Sequence, residues 1–286
     1  ALLVHIGLSL FTGAVVLEAF FGINYIYSII GISVITAIYT ILGGLKAVMI
    51  TDAIQAVLLL VGAALLTFFG LQALPEAGGL VRLPAGEFEI DTPLVVRVAD
   101  ACIEGAGAAT HIKNTNQSGQ PALILEHPDG ARDRKTELWR IKLANFRITG
   151  NEKSGHGIDA RRINEVFIDG VTVSYHGGDG IRLYYCYEDP RICDSLITYN
   201  KQTGINLIGC HDIVVSSNQL EENRDALRCF DGFNLTMTGN ALDDHLGRGV
   251  VIENTYGSVV SGNMIEECQS DAVVLDRDCY GITISA

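Results

Sequence analysis

The stretch that decides the fold runs from Gly157 to Asp271: GIDARRINEVFIDGVTVSYHGGD (157–179), GIRLYYCYEDPRICDSLITYNKQT (180–203), GINLIGCHDIVVSSNQLEENRD (204–225), ALRCFDGFNLTMTGNALDDHLGR (226–248) and GVVIENTYGSVVSGNMIEECQSD (249–271). Cut before the small residue that opens each line, it falls into repeats of 23, 24, 22, 23 and 23 residues. A shorter sixth line, AVVLDRDCYGITISA (272–286), follows. A fixed period in the low twenties marks a solenoid, in which each repeat buries its apolar face only by stacking on its neighbours.

The residue types select the kind of solenoid. Each line opens with apolar residues at every second position: Ile181 and Leu183, Ile205 and Leu207, Leu227 and Cys229, Val250 and Ile252, Val273 and Leu275. That alternation predicts a strand with one face always inward. A second strand follows mid-line, as in Ile213/Val215 and Leu235/Met237, and no line holds a long run of helix formers. Asn218, Asn240 and Asn263 recur at one place in three successive lines. Asn tolerates the left-handed backbone of a tight bend, and its amide can bond the Asn one coil away. These lines resemble the right-handed parallel β-helix of the pectate lyases and their relatives. The handedness, and an all-β solenoid over residues 77–286, are what the resemblance implies. The incomplete sixth line and the missing initiator Met lead to the expectation of a fragment of a longer product.

The first 76 residues are of another kind. They hold one basic residue, Lys46, and three acidic ones, Glu18, Asp52 and Glu76. Residues 2–21, 25–42 and 53–74 are apolar runs near the roughly 20 residues a bilayer-spanning helix needs, and three in succession predict membrane helices. GISVITAIYTILGGLKAVMITDAIQ (31–55) resembles the sodium/solute symporter family, through Tyr39, the Gly43-Gly44-Leu45 turn and Thr51-Asp52. The resemblance covers about residues 1–74, three helices of a much longer transporter. The broken helices that bind substrate and cation in such proteins lie elsewhere, so transport by this chain alone is not expected. Lys46, between the second and third runs, places that turn on the cytoplasmic side and the solenoid in an extracytoplasmic location, periplasm or cell surface. The expected domains are a membrane segment at 1–76, facing a lipid bilayer, and the β-helix at 77–286.

The other 210 residues carry 19 basic and 30 acidic side chains, a net charge of −11. That argues against nucleic acid as a partner. All seven cysteines lie in this half, without a CxxC pair, and read as buried hydrophobes or occasional disulfides rather than a zinc site. Cys186 and Cys210 each stand six residues after the Gly that opens their line, so they should stack on adjacent coils, as reduced thiols or, with Cα atoms about 4.8 Å apart, as a disulfide.

With inward positions assigned, the alternate residues of the opening strand face outward. One column runs Asp159, Arg182, Asn206, Arg228, Val251, Val274, and the next Arg161, Tyr184, Ile208, Phe230, Glu253, Asp276. Asp159, Arg161, Tyr184 and Asn206 suit sugar binding, hydrogen-bonding hydroxyls and offering an aromatic face. Asp179 and Asp225 recur at the bend before the strand, two coils and so about 9–10 Å apart. Inverting glycosidases separate their carboxyls by about 6.5–9.5 Å. Asp before Gly is equally a plain turn residue. His176, near Asp179, is a candidate acid or base or a surface loop residue. Arg182 and Arg228 could neutralise a uronate carboxylate in a lyase or epimerase. No metal site is expected, and calcium enters only with the lyase reading. The loops at 118–121 and 127–135 should wall the binding face. Gly155-His156-Gly157 is similar to one polygalacturonase motif, but its paired aspartates do not precede it, so that role is not assigned. The expectation is a membrane-tethered β-helix acting on or binding polysaccharide, by an unspecified reaction. The alternatives are a non-catalytic glycan-binding or surface-display β-helix, and a misjoined symporter/β-helix product.

Overall fold

A computed structural model describes residues 11, 15, 18, 22–34, 37, 38 and 78–285. The chain divides into two compact units, Ala1–Gln72 and Ala73–Ala286. In the first, 25–34 is helical, while the expected run 53–74 and most of 2–21 lie outside the described residues, as do Lys46 and Asp52. Among the described residues no helix is long and apolar enough to cross a membrane.

The second unit is a solenoid of three parallel sheets of nine, eight and eight strands. Each coil contributes three strands, one more than the alternation predicted. In the coil from Ile181 these are Ile181–Tyr184 in the opening sheet, Arg191–Cys193 in the second and Leu196–Thr198 in the third. The third strand escapes sequence reading because it is only three residues long and shows a single inward side chain.

The opening strands stack in the expected register: Ile158, Ile181 and Ile205 are aligned, then Leu227, Val250 and Val273. Ile181, Leu183, Ile205, Leu207, Leu227, Cys229, Val250 and Ile252 are fully buried. Ile192, Val215 and Met237 enter the same core from the second sheet, and Ile197, Leu220 and Leu242 from the third. A coil alone has no interior. Its apolar residues leave water only because coils above and below cover them.

The Asn column bonds along the axis as expected. Asn218 Nδ2 donates to Asn240 Oδ1 at 2.9 Å, and Asn240 Nδ2 to Asn263 Oδ1 at 2.8 Å. Each Oδ1 also accepts the backbone N–H of its predecessor in the column. The left-handed residue, however, is the one before the Asn: Ser217 (φ 58°), Gly239 (65°) and Gly262 (62°). The Asn is therefore there for its amide, which satisfies backbone groups where the sheet ladder breaks at the bend. A second such ladder at the bend between the third and opening sheets links Asn200 Nδ2 to Asn223 Oδ1 at 2.8 Å.

All seven cysteines are free thiols. Cys186 and Cys210 are fully buried on adjacent coils, their Sγ atoms toward the carbonyls of Ala160 and Leu183. Burial pushes the Cys210 thiol well above its ordinary range, and that of Cys229 up to about 12. Along the bend after the opening sheet, the rings of Tyr187, His211, Phe233, Tyr256 and Tyr280 form a line with centroids 4.5 to 5.2 Å apart, edge-on at Tyr187–His211 and stacked at Tyr256–Tyr280. This aromatic spine adds favourable ring contacts beside the backbone bridges that join His211, Phe233, Tyr256 and Tyr280 from coil to coil.

Candidate functional site

The outer face of the opening sheet carries both columns in register. Asp159, Arg182, Asn206 and Arg228 are aligned, and beside them Arg161, Tyr184, Ile208 and Phe230. Asp159 is outward in direction yet fully buried. Arg182 lies on it through Nε–Oδ1 at 2.8 Å and Nη2–Oδ2 at 2.9 Å. Arg161 donates to Oδ2 from Nε at 2.9 Å and Nη2 at 2.6 Å, and its Nη1 reaches Glu126 Oε2 at 3.0 Å. Both carboxylate oxygens of Asp159 are thus occupied, so it orients the guanidiniums rather than meeting a ligand itself. Bidentate pairing of this kind fixes an arginine in one pose.

Above these pairs opens a groove of about 520 Å³ lined by Arg161, Arg182, Tyr184, Ile208, Glu126 and the loop residues Gly130–Arg132. The loop leaves the coil after Leu123–Leu125 and returns through a short 3₁₀ turn, Arg134–Thr136. Asp133 caps that turn, accepting the Lys135 N–H at 2.8 Å. The 127–135 excursion therefore walls the face as expected. With Arg132, Arg161 and Arg182 against Glu126 and Asp159, the lining is net cationic on a chain of net charge −13.

The bend residues turn out differently. Asp179 is buried: its Oδ1 accepts the Thr203 N–H at 3.0 Å and its Oδ2 the Asn206 amide at 2.9 Å. Asp225 accepts the Arg248 N–H at 2.8 Å. Both carboxylates cap the backbone of the next coil, the turn role, and the geometry does not present them as a pair to a substrate. His176 is neither a surface residue nor placed for proton transfer to a ligand. It is fully buried, neither ring nitrogen has a partner, and burial pulls its pKa down to about 3. Arg228 stands away from the groove, on Glu253 at 2.8 Å.

Three residues of this region were not assigned from sequence. Glu126 sits one coil before Arg161, but the excursion at 127–135 breaks the repeat there and hides the register. Arg132 lies on that excursion, where no period applies. His156 precedes Asp179 by one coil, and its Nδ1 accepts the Asp179 N–H at 2.9 Å. Nδ1 also lies 3.3 Å from Asp179 Oδ2, a contact that would need a proton on Nδ1. The backbone N–H is an obligate donor, and burial lowers the His156 pKa, so the neutral ring with Nε2–H is the form in place. Among the described residues, the group able to converge on a metal ion is Glu221, Glu222 and Asp244. It lies at the exposed end of the third sheet, away from the arginines.

Residues 134–286, more than half of the chain, match the family described as "Right handed beta helix region". The chain belongs to that family. Residues 1–110 match the sodium:solute symporter family, a match that runs across the first strands of the β-helix. Sodium/glucose cotransporter 4 of Mus musculus is 41% identical over 78 residues, 27% of this chain and 11% of that protein. Sodium/glucose cotransporter 2 of Rattus norvegicus is 32% identical over 127 residues, 42% of this chain and 19% of that protein. The chain thus spans under a fifth of the length of these relatives. Similar solved structures include Geobacillus virus E2 ORF18, at 12% identity and TM-score 0.49, covering 72% of this chain and 54% of that one. The mannuronan C-5 epimerase A-module of Azotobacter vinelandii has 16% identity and TM-score 0.41, covering 73% and 79%. At these scores nothing about the β-helix site rests on them.

Proposed function

We propose that the β-helix recognises an acidic polysaccharide lying across the opening sheet, in the groove over Arg161, Arg182 and Tyr184. The observation that carries this reading is the double clamp on Asp159. One buried carboxylate holds two guanidiniums side by side, with N–H groups remaining toward the groove, next to the ring of Tyr184 and under a loop that supplies Arg132. Planar, fixed guanidiniums suit carboxylate groups, and an aromatic face suits a sugar ring. A lyase or epimerase acting in the same groove is the second reading. Glu126 favours it, since one of its oxygens is uncommitted beside the arginines. A hydrolase built on Asp179 and Asp225 is not favoured, because both serve the backbone.

The test is calorimetric titration of the full chain with uronate-containing and neutral glycans. Binding of the acidic glycans, weakened about tenfold or more in Arg182→Ala as expected for lost charged hydrogen bonds, supports the reading. Equal affinity of Arg182→Ala and the parent protein would sink it. New unsaturated sugar ends during the titration would identify a lyase. The symporter-like segment is proposed to tether the β-helix to a bilayer, on the extracytoplasmic side. A reporter fused after Ala286 should then be active only outside the membrane, and cytoplasmic activity reverses the orientation.

A further inference from the structure

The opening sheet bears a second carboxylate clamped by two arginines, outside the groove. The Glu253 side chain is 9% exposed; its Oε2 accepts from Arg228 Nη2 at 2.8 Å, and its Oε1 forms an ion pair with Arg277 Nε at 2.8 Å. Both guanidiniums also lie over the ring of Phe230, at 5.4 and 5.6 Å from its centroid. Each arginine is thus held from two directions, by an ion pair and by an aromatic face. Both remain substantially exposed, with N–H groups that Glu253 does not take. The arrangement repeats the Arg161–Asp159–Arg182 clamp with different residues from different coils.

We propose that Arg228, Glu253 and Arg277, with Phe230, form a second subsite that takes an acidic substituent of the same glycan chain whose other end occupies the groove. The inference rests on the acidic-glycan reading of the groove and adds a direction and a minimum length to it. Arg182 and Arg228 are aligned two coils apart through Asn206, about 10 Å at the spacing of neighbouring strands. Asp159 and Glu253 are separated by four coils, about 19 Å. A ligand that engages both clamps therefore runs along the solenoid axis. Midway, Asn206 Oδ1 is buried without a hydrogen-bond partner. Its Nδ2 is committed to Asp179, so with its oxygen out of reach from the surface this side chain is a spacer between the two clamps rather than a ligand contact. Asp276 follows Glu253 in the column, and its Oδ1 accepts the Arg277 N–H at 2.8 Å. Its charge offsets part of the arginine charge, so the second subsite adds affinity to the groove rather than capturing a ligand alone.

The experiment titrates the full chain with size-defined oligouronates of two lengths, one shorter than about 10 Å and one longer than about 20 Å, the spans set by the coil spacing. The parent protein should bind the long oligomer more tightly. Arg277→Ala should weaken the long oligomer about tenfold, the loss of a charged hydrogen bond, and leave the short one within about twofold. Arg277→Lys, which keeps the charge but not the planar fork, should fall between. Arg228→Ala serves as an independent variant, and an unchanged melting temperature in either confirms that the fold is retained. Undiminished long-oligomer affinity in both alanine variants, with Arg182→Ala still losing both lengths, overturns the second subsite and leaves the groove standing. Failure of the parent protein to bind either length overturns the groove reading itself, and the second subsite with it.

Discussion

Two polar regions of the same coils behave in opposite ways. At the bend between the third and opening sheets, the column His176, Asn200, Asn223, His245 points into the solenoid. On the outer face of the opening sheet, the column from Asp159 to Arg228 points away from it. The inward amides have nearly every donor and acceptor matched: Asn200 bonds Asn223, and Asn223 Nδ2 bonds the Ile197 carbonyl at 2.8 Å. The outward arginines are anchored to buried carboxylates yet keep N–H groups toward solvent. Inside, polar chemistry substitutes for missing backbone bonds. Outside, it is held ready for something the chain does not itself contain.

The inward column is least satisfied at its two histidines, where His245 leaves Nε2 and His176 leaves both ring nitrogens unpaired, and His176 predicts the largest effect. His176 is the column member whose ring finds no partner, and burial holds its pKa at about 3 rather than 6.5. The group is neutral when folded and gains its proton more readily when unfolded. Its contribution is therefore fully present above about pH 6.5 and is lost as pH falls toward 3. At 1.36 kcal/mol per unit, the loss across that window is on the order of 4 kcal/mol. His176→Asn, which extends the amide ladder by one member, should flatten this acid limb in denaturant melts. An unaltered acid limb would mean that another group governs it.

The intact part of the ladder should respond next most strongly. Asn223→Ala leaves the Asn200 N–H, the Asn200 amide and the Ile197 carbonyl without their partners. Buried unsatisfied groups cost about 1–3 kcal/mol each, so a loss of about 3 kcal/mol is expected at any pH. Glycan affinity measured below the melting range should be unchanged, because the groove is built on other residues. A parallel loss of affinity would show that the two regions are coupled. Least affected should be the stability of Arg182→Ala, the variant with the greatest effect on binding. Its side chain is partly exposed, and its removal still leaves Arg161 on Asp159.

Much of the fold was legible because period and alternation are one-dimensional signals. The spacing of Gly180, Gly204 and Gly249 with the apolar pairs behind them was enough to predict the register of every coil from Ile158 to Leu275. The Asn column was legible for the same reason, though its bend conformation was assigned to the wrong residue. The left-handed turn belongs to Ser217, Gly239 and Gly262, the small residue that precedes each Asn of the column. Glu126 and Arg132 were out of reach, since the excursion between 127 and 135 breaks the period just where the groove is walled.

The amino-acid order by itself determined that the chain would coil, which side chains would face in, and that Asp159, Arg161, Arg182 and Tyr184 would share one outer face. What those side chains do to one another was decided only in three dimensions. An outward register does not say whether a carboxylate meets water or lies under two guanidiniums, because the answer depends on neighbours one coil away. The same holds for His176, Asp179 and Asp225. Near one another in sequence or in register, they serve as a buried ring and two backbone caps, because only the stacked coils determine which atoms leave water and which backbone N–H groups await an acceptor.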